Sequence, residues 1–257
     1  MENIILETRE LTKAFDGITA VDKVDFQLKE GESVGIIGPN GAGKTTFFNL
    51  LTGLFSPSSG KILHFHQGGK DITKIESYHR VKMGIIRTFQ LVSVFNSLKV
   101  ADNLVLSSVR FSKDYEAKRK FFFKDIYHRE IMEKCLESLT MMNLEKKASL
   151  MTAELSYGDK RKLEIAIALS LKPKILLLDE PFSGLSDFEI DEVLNLIGKI
   201  KSNLSLVIIE HKISRIVDLV QRLSVMHEGR IIANGIPQEV LGDSIVREVY
   251  WGKEEAL

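Results

Sequence analysis

The chain has 257 residues, enough for one or two domains around a sizeable buried core. Lys plus Arg and Asp plus Glu each number 35, so the formal net charge is zero and no global field favours nucleic acid or an anionic membrane. With 44% hydrophobic and 27% charged residues the composition is that of an ordinary globular protein, and no run approaches the roughly 18 apolar residues that a bilayer span needs.

The opening MENIILETRE mixes acids with apolar residues and lacks a small-residue cleavage site, so it does not read as a secretory signal. Short strands are predicted at Ile4–Thr8, Val24–Leu28, Ser33–Ile37 and Lys61–Phe65 from their β-branched and apolar alternation. A helix is predicted from Lys44 to Leu51, ending before Gly53 and the Pro57–Gly60 turn, and a further strand at Gly84–Phe89. From Val100 to Leu171 there is no Pro and almost no Gly, and Ile131, Cys135, Leu136 and Leu139 recur at helical spacing. That stretch reads as a helical insertion. Cys135, the single cysteine, cannot form an internal disulfide and is expected to be a buried, inert thiol of a reducing compartment. Strands resume at Lys174–Asp179, Leu204–Glu210, Arg222–Met226 and Arg230–Ala233, separated by helices at Phe188–Lys201 and Ile213–Val220. This alternation implies a largely parallel core sheet. Residues from Pro237 onward read as one or two short helices.

Gly38-Pro39-Asn40-Gly41-Ala42-Gly43-Lys44-Thr45 matches G-x-x-x-x-G-K-[ST] in full, with an apolar strand before it and a helix beginning at Thr46 after it. Glycines let the backbone curl until several N–H groups face one anion, and the helix N-terminus adds its positive end. Lys44 is expected to reach the β- and γ-phosphates of a nucleotide, and the Thr45 hydroxyl to ligate Mg²⁺. Downstream, four apolar residues from Ile175 end in Asp179-Glu180-Pro181. A buried strand delivers such carboxylates to the carboxyl edge of an open α/β sheet, where ligands bind. Asp179 is expected to hold Mg²⁺, and Glu180 to act as general base on the attacking water.

Four further segments carry a resemblance. Leu155-Ser156-Tyr157-Gly158-Asp159 resembles the Leu-Ser-Gly-Gly-Gln signature of ABC ATPases; Gln90 in Arg87-Thr-Phe-Gln resembles the Q-loop glutamine; His211 resembles the switch histidine; Phe15 resembles the aromatic that stacks on adenine. All six elements stand in the order of that family, over essentially the whole chain. The resemblance implies an α/β fold: a P-loop (RecA-like) ABC ATPase core with an N-terminal antiparallel β part and an inserted α-helical subdomain. It implies one domain, with residues 1–90 and 166–235 as nucleotide-binding core, 91–165 as helical and signature subdomain, and 236–257 as tail. It also implies ATP and Mg²⁺ as cofactors, with Gln90 joining Thr45 and Asp179 at the metal, and with Glu180, Gln90 and His211 catalytic. Phe15, Gly38 through Thr46, Ser156 and Gly158 would bind nucleotide, the last two on the γ-phosphate held by an opposite subunit. Three positions depart from the family pattern: Tyr157 and Asp159 replace the common Gly and Gln of the signature, and Ser186 stands in Ser183-Gly-Leu-Ser186 where the D-loop commonly has Asp.

The Tyr-Gly-Asp signature, the long helical segment and the closing Val246-Arg-Glu-Val-Tyr-Trp-Gly resemble the ATPases of branched-chain amino acid importers. The expected partners follow: integral membrane permease subunits, a second ATPase subunit of the same or a related chain in an ATP-dependent dimer, and a solute-binding protein indirectly, with no nucleic acid. The expected place is the cytoplasmic face of the cell membrane. Urea or amide importers, lipopolysaccharide exporters and a soluble ABC-type ATPase remain as alternatives. His64 and His66 alternate along a strand and read as exposed hairpin residues rather than a metal pair. Lys118–Lys124, with three successive Phe, reads as a core edge flanked by lysines, or as a contact with permease or membrane.

Overall fold

The computed structural model describes residues 3–66, 68–111, 129–211 and 213–251, and the strands among them form two sheets. The first joins β1 (Ile4–Phe15), β2 (Ile18–Lys29), β4 (Ser59–His64) and β5 (Lys70–Asp71), antiparallel throughout in the order β2-β1-β4-β5. The second contains β3 (Ser33–Ile37), β6 (Ile85–Arg87), β7 (Ile175–Asp179), β8 (Ser205–Ile209), β9 (Arg222–His227) and β10 (Arg230–Gly235), in the order β10-β9-β3-β8-β7-β6. It is parallel except for the β9–β10 hairpin. Strands β3, β7 and β8 are buried at every residue, which is why they read as unbroken apolar runs rather than alternating ones.

Strands β1 and β2 run well past the predicted Ile4–Thr8 and Val24–Leu28. Each passes through a non-glycine residue in the left-handed region, Glu10 at φ 46° and Lys23 at φ 48°. Their pairing also shifts register between Thr8 and Leu11. The bulge breaks the apolar alternation, so pattern alone stops short there. The helix predicted at Ile213–Val220 is one turn, α7 (Ile213–Ile216), because the backbone of Gln221 already bonds to Ser33 at the start of β3.

The chain divides into two compact units. The first comprises Met1–Arg87, Lys174–Pro181 and Lys201–Leu257 and holds both sheets. Its core gathers Leu6, Phe26, Ile36, Phe47, Leu177 and Val207, all at most 3% exposed. Helix α1 (Lys44–Thr52) buries Phe47, Phe48, Leu50 and Leu51, and its C-terminal turn is tied down by Arg80 of α2 (Ser77–Lys82). Arg80 is 1% exposed, and its guanidinium donates to the main-chain oxygens of Leu50, Leu51, Ile72, Thr73 and Ile75 at 2.6–3.1 Å. Burial pushes its pKa down to about 10. The tail forms two short helices, α8 (Pro237–Gly242) and α9 (Ser244–Trp251).

His64 corrects one expectation. It is 1% exposed, on the face of β4 that pairs with buried Leu6, and neither ring nitrogen has a hydrogen-bond partner. Burial, assisted by neighbouring His66, pushes its pKa down to about 4. Among the described residues no group of three or more His, Cys, Asp or Glu could hold a metal.

The second unit comprises Thr88–Pro173 and Phe182–Ile200. Among its described residues the α-helices are α3 (Val100–Phe111), α4 (Arg129–Met141), α5 (Tyr157–Ser170) and α6 (Asp187–Ile200). Leu104, Val105, Leu139, Leu163 and Ala166 are buried. Cys135 is buried as well, and that burial pushes its thiol pKa up. The Lys118–Lys124 stretch lies outside the described residues.

Candidate functional site

In the first unit, β3 ends at Ile37 and the chain turns through Gly38–Gly43 into α1. The turn needs glycine at two places by close approach. A Cβ on Gly38 would stand 2.2 Å from the Met226 carbonyl oxygen, and one on Gly43, at φ 97°, would stand 2.2 Å from that of Ala20. Helix α1 begins with Gly43 as its N-cap, no side-chain cap and no acid in its first turn. No acid of the helix itself therefore competes at its positive end. Lys44 is 5% exposed and folds back on the loop, its ammonium donating to the carbonyls of Gly38 at 2.7 Å and Pro39 at 3.0 Å. Burial lowers its pKa, opposed by the charges of Glu180 and Asp179, which places all three in one electrostatic neighbourhood. Thr45 is exposed, Thr46 half-buried, and Asn40 and Gly41 lie on the surface.

Asp179 ends β7, paired beside Ile209 of β8, and its carboxylate meets the Arg87 guanidinium at 2.5 Å. Glu180 follows at φ 47°, a left-handed backbone that costs a non-glycine residue on the order of 1–3 kcal/mol and persists only where the surroundings enforce it. Its N–H is held by the Ile209 carbonyl at 2.9 Å, and its carboxylate lies 2.6 Å from Nε2 of His211. His211 keeps 41% of its side chain exposed, so the pair opens toward solvent. Phe15 is 38% exposed, packs edge-on against Phe55 at 5.4 Å, and has the Lys13 ammonium 4.8 Å from its centroid. The first unit thus holds Phe15, the whole loop from Gly38 to Thr46, Asp179, Glu180 and His211. Thr45 and Asp179 offer hydroxyl and carboxylate oxygens, a hard donor set that suits Mg²⁺ and not a thiolate- or imidazole-seeking metal.

Gln90, Ser156 and Gly158 belong to the second unit. Gln90 is exposed, while its carbonyl accepts from Arg161 at 2.7 Å, and Arg161 also bonds the carbonyl of Phe89 and the carboxylate of Glu164. Ser156 is the N-cap of α5, its hydroxyl accepting from the Asp159 N–H at 3.1 Å. The Asp159 carboxylate is bound by Lys147 and by Lys162. Burial raises the Asp159 pKa, but the two lysines outweigh it and the net value is lowered.

Sequence reasoning missed Glu189. Its Oε2 accepts the Ser186 N–H at 3.0 Å and the Ser186 hydroxyl at 2.8 Å, while its N–H returns to that hydroxyl at 3.4 Å. Its Oε1 lies 2.5 Å from where a Gly158 Cβ would stand. The Ser186 donors, with the Gly158 N–H, hold its carboxyl below the ordinary value. Ser186-Asp-Phe-Glu189 has capping-box spacing, which is the signal that would have found it.

A family model described as ABC transporter matches residues 21–183. The high-affinity branched-chain amino acid transport ATP-binding protein BraF of Pseudomonas aeruginosa is 34% identical over 259 residues, spanning 98% of this chain and all of that protein. The lipopolysaccharide export system ATP-binding protein LptB of Acidithiobacillus ferridurans is 32% identical over 253 residues, spanning 97% and 98%. Among solved structures, the ADP conformation of an ATP-binding cassette of an ABC transporter superposes with a TM-score of 0.85 at 30% identity, covering 97% of this chain and 99% of that one.

Proposed function

The chain belongs to the family of ABC transporter ATP-binding subunits, and from that premise we propose that it energises an importer of branched-chain or related amino acids. The observation that carries the reading is the similarity to BraF over the full length of both chains. By its likeness to transporter ATP-binding subunits the chain would work at the cytoplasmic face through permease subunits. Exposed Phe89, Leu91 and Phe95 beside Gln90 offer an apolar surface for that contact.

In this reading Phe15 stacks on adenine and the loop from Gly38 to Thr46 wraps the phosphates. Lys44 exchanges the carbonyls of Gly38 and Pro39 for the β- and γ-phosphates. Thr45 and Asp179, and by the family resemblance Gln90, would hold Mg²⁺, which would supply positive charge against that building on the phosphates. Glu180 takes the proton of the water that attacks the γ-phosphorus as the bond to ADP breaks. His211 keeps Glu180 in place and donates to the γ-phosphate. Ser156 and Gly158 meet the γ-phosphate of a second subunit, so the working unit is an ATP-dependent dimer.

The test replaces the chromosomal copy with Glu180→Gln and follows uptake of radiolabelled leucine, isoleucine and valine. Loss of uptake is expected. Unchanged uptake of all three overturns the amino-acid reading. The similarity to LptB favours a second reading, export of lipopolysaccharide, which the same strain would reveal as lipopolysaccharide retained inside the cell.

A further inference from the structure

Arg87 closes β6 and pairs beside Leu177, two residues before Asp179 on the neighbouring strand. Its guanidinium is a fork with two ends in use. Nη2 donates to Oδ2 of Asp179 at 2.5 Å, and Nη1 donates to Oδ1 of Asn49 at 2.6 Å. The ion pair is buried, with side chains 5% and 2% exposed, and the guanidinium lies 5.4 Å from the Phe48 ring centroid. Asn49 stands four residues after Thr45 on α1, so the two share one helix face. One planar group therefore ties the carboxylate at the end of β7 to the face of the phosphate-loop helix that carries Thr45.

We propose that Arg87 is a positioning residue for Mg²⁺: it fixes Asp179 by one oxygen and sets its spacing from Thr45 through Asn49. The proposal rests on the reading of Thr45 and Asp179 as the metal's oxygen donors. A buried ion pair adds little net stability, because desolvation offsets its attraction, so its use here is geometric. The positive charge of Arg87 opposes a cation on the same carboxylate, while the fork favours it by orientation. Lysine keeps the charge but is a single point that cannot span both acceptors, so Arg87→Lys isolates the geometry.

The experiment titrates Mg²⁺ against binding of a fluorescent ATP analogue to the full chain, for wild type, Arg87→Lys and Asn49→Ala, with circular dichroism melting as a check on folding. Metal-free nucleotide affinity is expected to stay within about twofold. The Mg²⁺ concentration that half-maximally tightens binding is expected to rise about tenfold in Arg87→Lys and severalfold in Asn49→Ala, the scale of losses seen when partners of metal ligands are removed. Mn²⁺ bound with nucleotide should show an altered electron paramagnetic resonance spectrum in Arg87→Lys. A wild-type Mg²⁺ midpoint in the folded variants overturns the proposal, as does an equal loss of metal-free binding. If Arg87→Lys does not fold, Asn49→Ala decides alone. If wild type itself shows no Mg²⁺ dependence, the assignment of Thr45 and Asp179 fails first and takes the proposal with it.

Discussion

Two helix N-termini in this chain are read as phosphate ligands, and they are built in opposite ways. Helix α1 starts on a glycine, with no side-chain cap and no acid in its first turn. Helix α5 starts with its Ser156 cap already engaged, Asp159 in the first turn, and the Glu189 carboxylate against Gly158. The first end has no side chain of its own helix bound to it, so a phosphate meets no cap to displace. The second is satisfied by its own chain, so a phosphate there must displace or coexist with carboxylates. The departures from the family pattern fall at this second end, and the two that bring polar groups are met internally, Asp159 by Lys147 and Lys162 and Ser186 by Glu189. They therefore do not by themselves require an unlike partner subunit.

The largest effect should come from the first end. Lys44→Ala is expected to remove measurable ATP hydrolysis and to weaken nucleotide binding, read by phosphate release and by fluorescent nucleotide titration; wild-type turnover would mean that the first end is not where phosphate sits. Glu180→Gln is expected to slow turnover by roughly 10²–10⁴ while leaving ATP bound. Light scattering with Mg-ATP should then find a dimer, and a monomer under those conditions would leave the second end without a phosphate to meet. In that background Glu189→Gln should shift dimer formation to severalfold lower protein concentration, because a neutral amide holds the Gly158 N–H less strongly than a carboxylate. An unchanged or weaker dimer would erase the contrast between the two ends. Ser186→Ala, which removes half of the capping box, should lower stability by about 1 kcal/mol in urea unfolding.

A smaller, pH-dependent effect belongs to Asp159. Its folded pKa is lowered, so its contribution to stability is complete above the unfolded value of about 3.9 and is lost as pH falls through the lower folded value. Asp159→Asn should flatten stability against pH in that acid window and nowhere else. A variant whose urea midpoint falls in parallel with wild type there would show that the lysines do not hold the charge.

The first end was legible because its chemistry is contiguous. Gly38 to Thr45, and Asp179 with Glu180, each sit within a few residues of a strand whose unbroken apolar run announces a buried sheet. The second end was only half legible, since the signature is local but its partners are not. Glu189 reaches Gly158 from 31 positions away, and Arg87 reaches Asp179 across 92. His64 misled for a related reason. Alternation places it on one face of β4 but does not say which face is inside, and pairing with Leu6 put it inward. No residue pattern marks Arg80 as an internal clamp, because its partners are carbonyls that every sequence supplies.

That property of Arg80 has a consequence for how the fold tolerates variation. Its hydrogen-bond acceptors all belong to the main chain, at Leu50, Leu51, Ile72, Thr73 and Ile75. Replacing any of those five side chains leaves the acceptor oxygen in the polypeptide. The hydrogen bonds that fasten the phosphate-loop helix thus depend on side-chain identity at Arg80 alone, and a scan that keeps the core positions Leu50, Leu51 and Ile72 apolar should still find position 80 intolerant.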